Sequence, residues 1–148
     1  MTARTFPRTT ATLALALALG ALGVSSAQAA RLELTVQGLQ QAQGQLMLAV
    51  YDQPALWLRG KPLTAARIAV SATGAVTHVF EDLPEDAEIA VSAFHDTNGN
   101  GRLDSNAMGM PVEPYGFSQD AVGQFGPPKF EAARLKLIGT VKATLTLN

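Results

Sequence analysis

Alternation of apolar and polar residues with a period of two constrains this chain more than any other feature. In "RLELTVQ", Leu32, Leu34 and Val36 share one face, and Arg31, Glu33, Thr35 and Gln37 share the other. That is the repeat of a strand with one buried face and one wet face. "ARIAVSA" repeats it with Ile68 and Val70, "AVTHVFEDL" with Val76, His78 and Phe80, and "AEIAVSAFHD" with Ile89, Val91 and Ala93. "GQLMLAVYD" is almost continuously apolar, as a central strand covered on both faces would be. "ARLKLIG" and "TVKATLTLN" carry Leu135, Leu137, Val141, Ala143, Leu145 and Leu147 at even spacings. Seven strands are therefore expected.

The turns between them are short, with Gly44, Gly74, Pro84 and Gly139 at the places a chain reverses. Helix signals are confined to "PALWLRG", from Pro54 to Gly60, and "QDAV", one turn each. Seven strands with little helix predict an all-β fold: an antiparallel β-sandwich, immunoglobulin-like or transthyretin-like, with one long ordered loop. A small closed barrel is the rival.

The N-terminal residues read as something else. Arg4 and Arg8 precede an apolar run from Ala11 to Val24, and Ala27-Gln28-Ala29 is a small-x-small cleavage site. This is the three-part pattern of a secretory signal peptide, expected to span residues 1–29. The run is short for a membrane-spanning helix, which needs about 20 residues. The remaining chain, 30–148, is expected to be one domain in the periplasm or the medium, with no further membrane span.

Removing Arg4 and Arg8 leaves nine basic residues against twelve acidic ones, a charge of about −3, with no basic patch. Nucleic acid and anionic membrane surfaces are poor partners for such a chain. There is no cysteine. An exported domain without disulfides must draw its stability from its core or from a bound ion.

One connection breaks the rhythm. From Asp96 to Lys129 no strand is evident, and the stretch is rich in Gly, Pro and Asn. Loops longer than about 12–15 residues are uncommon, and are usually functional or disordered. This one holds Met108, Met110, Val112, Tyr115, Phe117 and Phe125, more apolar bulk than a disordered segment carries. It reads as an ordered excursion across one end of the sandwich.

The excursion opens on "DTNGNGRLD". With Asp96 as position 1, Asn98 falls at 3, Asn100 at 5, Gly101 at 6, Arg102 at 7 and Asp104 at 9. Oxygen donors at 1, 3, 5 and 9, a backbone carbonyl at 7 and Gly at 6 are the arrangement of a calcium loop. Position 12 is Ala107 instead of a bidentate Glu, and the flanks are not helices. The missing ligand would come from Glu113, the Asp120 region or water. So few carboxylates imply weak Ca²⁺ binding, on the order of 10⁻⁴–10⁻³ M. The competing reading is a loop whose Asp and Asn side chains cap their own backbone, with no ion.

Other candidates are sparser. His78 reads as a strand residue. His95 could orient the acidic loop or act as an acid–base group. Two histidines without cysteine do not make a zinc or copper set. Ser118, in "YGFSQD", lacks the Gly-x-Ser-x-Gly spacing of a nucleophile, and no phosphate loop is present. Trp57, Tyr115, Phe117 and Phe125 read as packing anchors or as the lining of a ligand groove.

The stretch from Phe94 to Leu137 closely resembles the signature of the DUF2141 proteins, an uncharacterised group of exported bacterial proteins. Its parts fall on His95 to Asp104, Gly109 to Glu113, Tyr115 to Ser118, and Gly126 to Glu131. "GQLMLAVYD" and "VFEDLP" also fit. The resemblance implies export, and a single structural unit over 96–131 in which Glu113 returns toward the acidic loop and Gly126, Pro127 and Pro128 set re-entry into the sheet. It implies no activity. The preceding turn departs from the family pattern, with Asp86 to Glu88 in place of the usual Gly-Tyr.

Three functions follow as expectations, one of them a purely structural module with the loop packed shut. The first is a non-catalytic exported sandwich whose calcium-loop-like segment orders a binding surface for an envelope protein or glycan. The metal ligands would then be Asp96, Asn98, Asn100, Arg102, Asp104 and Glu113. The alternative is a metal-assisted hydrolase using His95, Asp96 and Glu113.

Overall fold

The structure is a computed structural model, which describes residues 29–148. The expected signal peptide, 1–29, lies outside them but for Ala29. Among the described residues eight strands form: β1 (Ala30–Leu39), β2 (Gln45–Tyr51), β3 (Thr64–Ala69), β4 (Gly74–Leu83), β5 (Glu88–Asp96), β6 (Tyr115–Phe117), β7 (Arg134–Lys136) and β8 (Thr140–Thr146). They make a three-stranded sheet in the order β4-β1-β8 and a five-stranded sheet in the order β3-β2-β5-β6, with β7 also on β5. The fold is an all-β sandwich, as the alternation requires.

The seven expected strands are all present, and the count needs one correction. β6 lies inside the stretch where no strand was evident. It pairs antiparallel with β5, Ser92 opposite Phe117 and Phe94 opposite Tyr115. Three residues are too few to show a period, so only pairing reveals this strand. The expected turn at Pro54 is a 3₁₀ turn, Pro54–Leu56, while the one near Gln119, at Ser118–Asp120, is not helical, since Gln119 and Asp120 both have positive φ. A four-residue helix, α1 (Phe130–Ala133), precedes β7. The antiparallel expectation also has an exception: β8 runs parallel to β1.

The core follows from the alternation. Leu32, Leu34 and Val36 of β1 face Leu46, Leu48 and Val50 of β2 and Ile89, Val91 and Ala93 of β5, with Leu145 and Leu147 closing the end. β2 lies between β3 and β5, so the central position expected for "GQLMLAVYD" is met. A second, smaller cluster lies on the outer side of the five-stranded sheet, where Trp57 packs on Tyr51, Phe117 and Phe130. The Trp57 indole N–H donates to the Pro128 carbonyl at 2.8 Å. An excursion of the chain is thereby nailed onto the sheet. Among the described residues no helix is long and apolar enough to cross a membrane.

The two sheets meet on one side. The Tyr115 and Asn148 backbones exchange hydrogen bonds of 3.2 and 3.0 Å, joining β6 to the end of β8. Gly116 permits this approach, because a Cβ there would overlap the Thr146 carbonyl.

Candidate functional site

The acidic loop grows directly out of β5. Its first residue is buried: Asp96 is 0% exposed. Its Oδ1 accepts the backbone N–H groups of Gly99 (2.7 Å) and Asn100 (3.1 Å), and its Oδ2 accepts that of Gly101 (2.7 Å). One carboxylate thus gathers three successive N–H groups, a curl that Gly99 and Gly101 permit with positive φ. Asn98 Oδ1 accepts from Asn100 N, and Asn100 Oδ1 from Arg102 N, continuing the same turn-by-turn capping.

The side chains at positions 3, 5 and 9 converge. The Asn98 amide donates to Asp104 Oδ2 at 2.6 Å, and the Asn100 amide donates to both Asp104 oxygens at 2.9 and 3.0 Å. These amides, Asn98 first, hold the Asp104 carboxyl below the usual carboxylate range, and the Arg102 charge adds to the effect. The donor set is two acids, two amides and the Arg102 carbonyl. Among the described residues no three His, Cys, Asp or Glu side chains converge.

Glu113 returns to the loop from the far side of the hairpin tip. It is 6% exposed. Its Oε1 accepts from Thr97 N (2.9 Å) and Thr97 Oγ1 (3.2 Å), and its Oε2 accepts from Asp104 N at 3.0 Å. Glu113 therefore ties both ends of the acidic loop together. Between them, Asn106 caps the tip of residues 105–111 by accepting from Met108 N and Met110 N, both at 3.0 Å.

His95 stands apart from this network. Consecutive strand residues point to opposite faces, so His95 turns into the sandwich while Asp96 turns outward. His95 is 0% exposed, and its ring Nε2 donates to the Gln43 carbonyl at 2.7 Å. A carbonyl only accepts, so the proton sits on Nε2 and the buried Nδ1 is left without a partner. The ring braces the β1–β2 turn. The expected contact of His95 with the acidic loop is not made through its ring. Among the described residues, none of His95, Asp96 and Glu113 lines the open space described below.

Ser118 is fully buried and structural. Its hydroxyl donates to the Ala133 carbonyl and accepts from Val91 N at 2.9 Å, fastening α1 to β5. His78 lies in β4, on the inner face opposite Leu34, where it stacks edge-on against Phe80 at 4.7 Å.

The open space lies beside the acidic loop, on the outer face of the five-stranded sheet. A groove of about 740 Å³ runs there. Register explains its floor. It is the paired stretch of β5 and β6, with Ser92 opposite Phe117 and Phe94 opposite Tyr115. Leu103 and Met110 from the acidic loop's continuation, and Phe125 and Pro127 from later in the excursion, complete the lining. Phe125 is fully exposed, so of the four aromatics singled out in the sequence it is no packing anchor; Trp57 is one. Tyr51 closes one end, its phenol pushed up by burial. Among the described residues, no charged side chain lines the groove. Ser92 was not singled out in the sequence, because the face it shares with Phe117 appears only once β5 and β6 are in register.

The family signature now has a spatial meaning. His95 to Asp104 forms the curled loop, Gly109 to Glu113 returns the brace, and Tyr115 to Ser118 is β6 with its buried serine. Gly126 to Glu131 carries the Pro128 carbonyl and Phe130 to Trp57. A family model described as "Uncharacterized protein conserved in bacteria (DUF2141)" matches residues 34–145. The chain belongs to the DUF2141 family. The match spans every strand but the first residues of β1 and the last of β8, so the DUF2141 unit is the sandwich together with its excursion. No curated protein matches the chain. No solved structure matches it either.

Proposed function

We propose that this DUF2141 protein is an exported, non-catalytic binding protein. Its groove receives a component of the cell envelope, and its acidic loop holds part of the groove wall in place. The observation that carries this reading is the joining of loop and groove in one segment. Asp96 and Glu113 order the stretch that delivers Leu103 and Met110 to the groove. A lining with aromatics and no charge favours apolar contact over recognition by ion pairs. An envelope protein or a glycan would engage it through apolar or ring-face contacts.

Calcium strengthens the loop in this reading. Asp96, Asn98, Asn100 and Asp104 supply side-chain oxygens and Arg102 its carbonyl, with Glu113 completing or bracing the set. The two asparagines must turn their amide oxygens toward Asp104 to do so. At free calcium about ten times the dissociation constant, the gain is about 1.4 kcal/mol. A melt with calcium and with chelator reads this directly, and equal midpoints would remove the ion from the proposal.

The hydrolase alternative has less support. His95 and Asp96 are buried on opposite faces of the sheet, and neither they nor Glu113 line the groove.

Hydrogen exchange tests the binding role. Envelope extract from the producing cells is expected to slow exchange over 91–96, 108–117 and 122–128, and not over β4. Unchanged exchange in all three segments, at any extract concentration, would defeat it.

A further inference from the structure

We infer that Asn98–Gly99 and Asn100–Gly101 form a deamidation site that Asp96 keeps latent, and that conversion of these amides to carboxylates opens the acidic loop. The inference needs neither a bound ion nor a ligand in the groove.

The sequence supplies the reacting groups. The chain has four asparagines, and only these two are followed by glycine. An asparagine loses its amide when the backbone nitrogen of the next residue attacks its Cγ. A glycine nitrogen is the least hindered attacker, because no Cβ stands beside it. The new N–Cγ bond closes a succinimide ring, the Cγ–Nδ2 bond breaks, and Nδ2 leaves as ammonia with the proton lost by the attacking nitrogen. Water then opens the ring to aspartate or isoaspartate. The net change is amide plus water to acid plus ammonia, so no other reactant is required.

Burial does not restrain this chemistry. Asn98, Gly99 and Asn100 are exposed. Among the described residues, nothing lies within 4 Å of where a Gly99 side chain would begin. Hydrogen bonds restrain it instead. The two attacking nitrogens, of Gly99 and Gly101, each donate to one oxygen of Asp96 at 2.7 Å. Attack requires a nitrogen stripped of its proton. A carboxylate at hydrogen-bond distance favours the N–H form and opposes the negative charge that stripping creates. Asp96 is fully buried at the end of β5, so its grip is fixed by the sheet. The leaving groups are held as well, since the Asn98 and Asn100 amides both donate to Asp104.

Each conversion reverses one of those contacts. Where the Asn98 amide now donates to Asp104 at 2.6 Å, a carboxylate would meet a carboxylate, and like charges that close repel. Isoaspartate also lengthens the main chain by one atom, which displaces the N–H groups that Asp96 gathers. The stretch that leads to Leu103 and the groove wall then loosens.

The purified protein is incubated in mildly alkaline buffer with chelator, so that no cation bridges new carboxylates, and the amides are followed by peptide mass spectrometry. Folded protein is expected to deamidate at 98 and 100 more slowly than the same protein in urea. The factor should match the hydrogen-exchange protection of the Gly99 and Gly101 amides. Asp96→Asn keeps one oxygen for these N–H groups and turns its own NH₂ against the rest. It should speed deamidation roughly ten- to hundred-fold at the asparagine whose glycine is released, the worth of a hydrogen bond to a charged group. Asn106, exposed in the same excursion but followed by Ala107, should keep its amide throughout. Where Asp96→Asn does not fold, Glu113→Gln, which leaves Asp96 in place, carries the test. Its gain in deamidation should equal its gain in exchange at Gly99 and Gly101. Aged protein and Asn98→Asp should both exchange faster over 97–104 than fresh wild type.

Equal rates in folded and urea-unfolded protein, or an unchanged rate in folded Asp96→Asn, would overturn the inference. So would a Glu113→Gln protein that exchanges faster without deamidating faster. A converted loop that exchanges as slowly as the fresh one would overturn the opening step.

Discussion

At the scale of single residues, the acidic stretch is a set of carboxylates spent on backbone. Asp96 satisfies three N–H groups and Glu113 two, besides the Thr97 hydroxyl. The consequence is sharpest at Glu113. Glu113→Gln keeps one oxygen for Thr97 N but turns its amide N–H₂ against the N–H of Asp104. One buried donor is then unsatisfied, and urea unfolding should show a loss of about 2 kcal/mol. Protease sensitivity over 97–112 should rise in the same variant. Asp104 predicts a pH effect. Its carboxyl is held below its ordinary range, so the unfolded chain binds a proton at higher pH than the folded one. Its contribution is present above the unfolded value and is lost as pH falls through the folded one. Acidification below the usual carboxylate range should therefore speed exchange at Asn98 to Arg102, more in wild type than in Asp104→Asn. The loop's composition was legible in the sequence, down to the turn at Gly101. That its acids cap backbone N–H groups was only one of two readings, because the same spacing serves a cation and a self-capped turn alike.

Among the elements, β6 matters out of proportion to its length. It extends the five-stranded sheet beyond β5, delivers Tyr115 and Phe117 to the groove, and meets β8 through Asn148. Gly116 is the condition for that meeting. Gly116→Val should push β6 from β8 and cost about 1–3 kcal/mol, with faster exchange at Tyr115 and Asn148 as the local sign. The long strands were legible because each repeats its face three or four times. β6 was not, since three residues after a proline, the middle one a glycine, carry no period. Its strand character comes from the partner it finds.

For the whole molecule, stability rests on one core between two sheets, without a disulfide. Leu34 is fully buried at its middle, and β1 is bonded on both sides, to β4 and to β8. Leu34→Ala should cost about 2–5 kcal/mol in the urea midpoint and leave the denaturant slope unchanged. The acidic loop lies away from this core, so Leu34→Ala and Glu113→Gln should add in the double variant to within about 0.5 kcal/mol.

The sequence by itself determined which residues go inside. A strand's side chains alternate by geometry, so the pattern of Leu32, Leu34 and Val36 names a buried face whatever the neighbours are. It also determined where the acidic loop lies and which groups it offers, because Asp, Asn and Gly stand there within a few residues of one another, while a cation site and a self-capped turn share that spacing. Tertiary structure alone decided the pairings: that β8 lies parallel to β1, that β6 joins β5, and that Ala49 and Ser92 stand side by side on the outer face. Those contacts join residues far apart in the chain. Alternation says which way a side chain points, and only register says what it points beside.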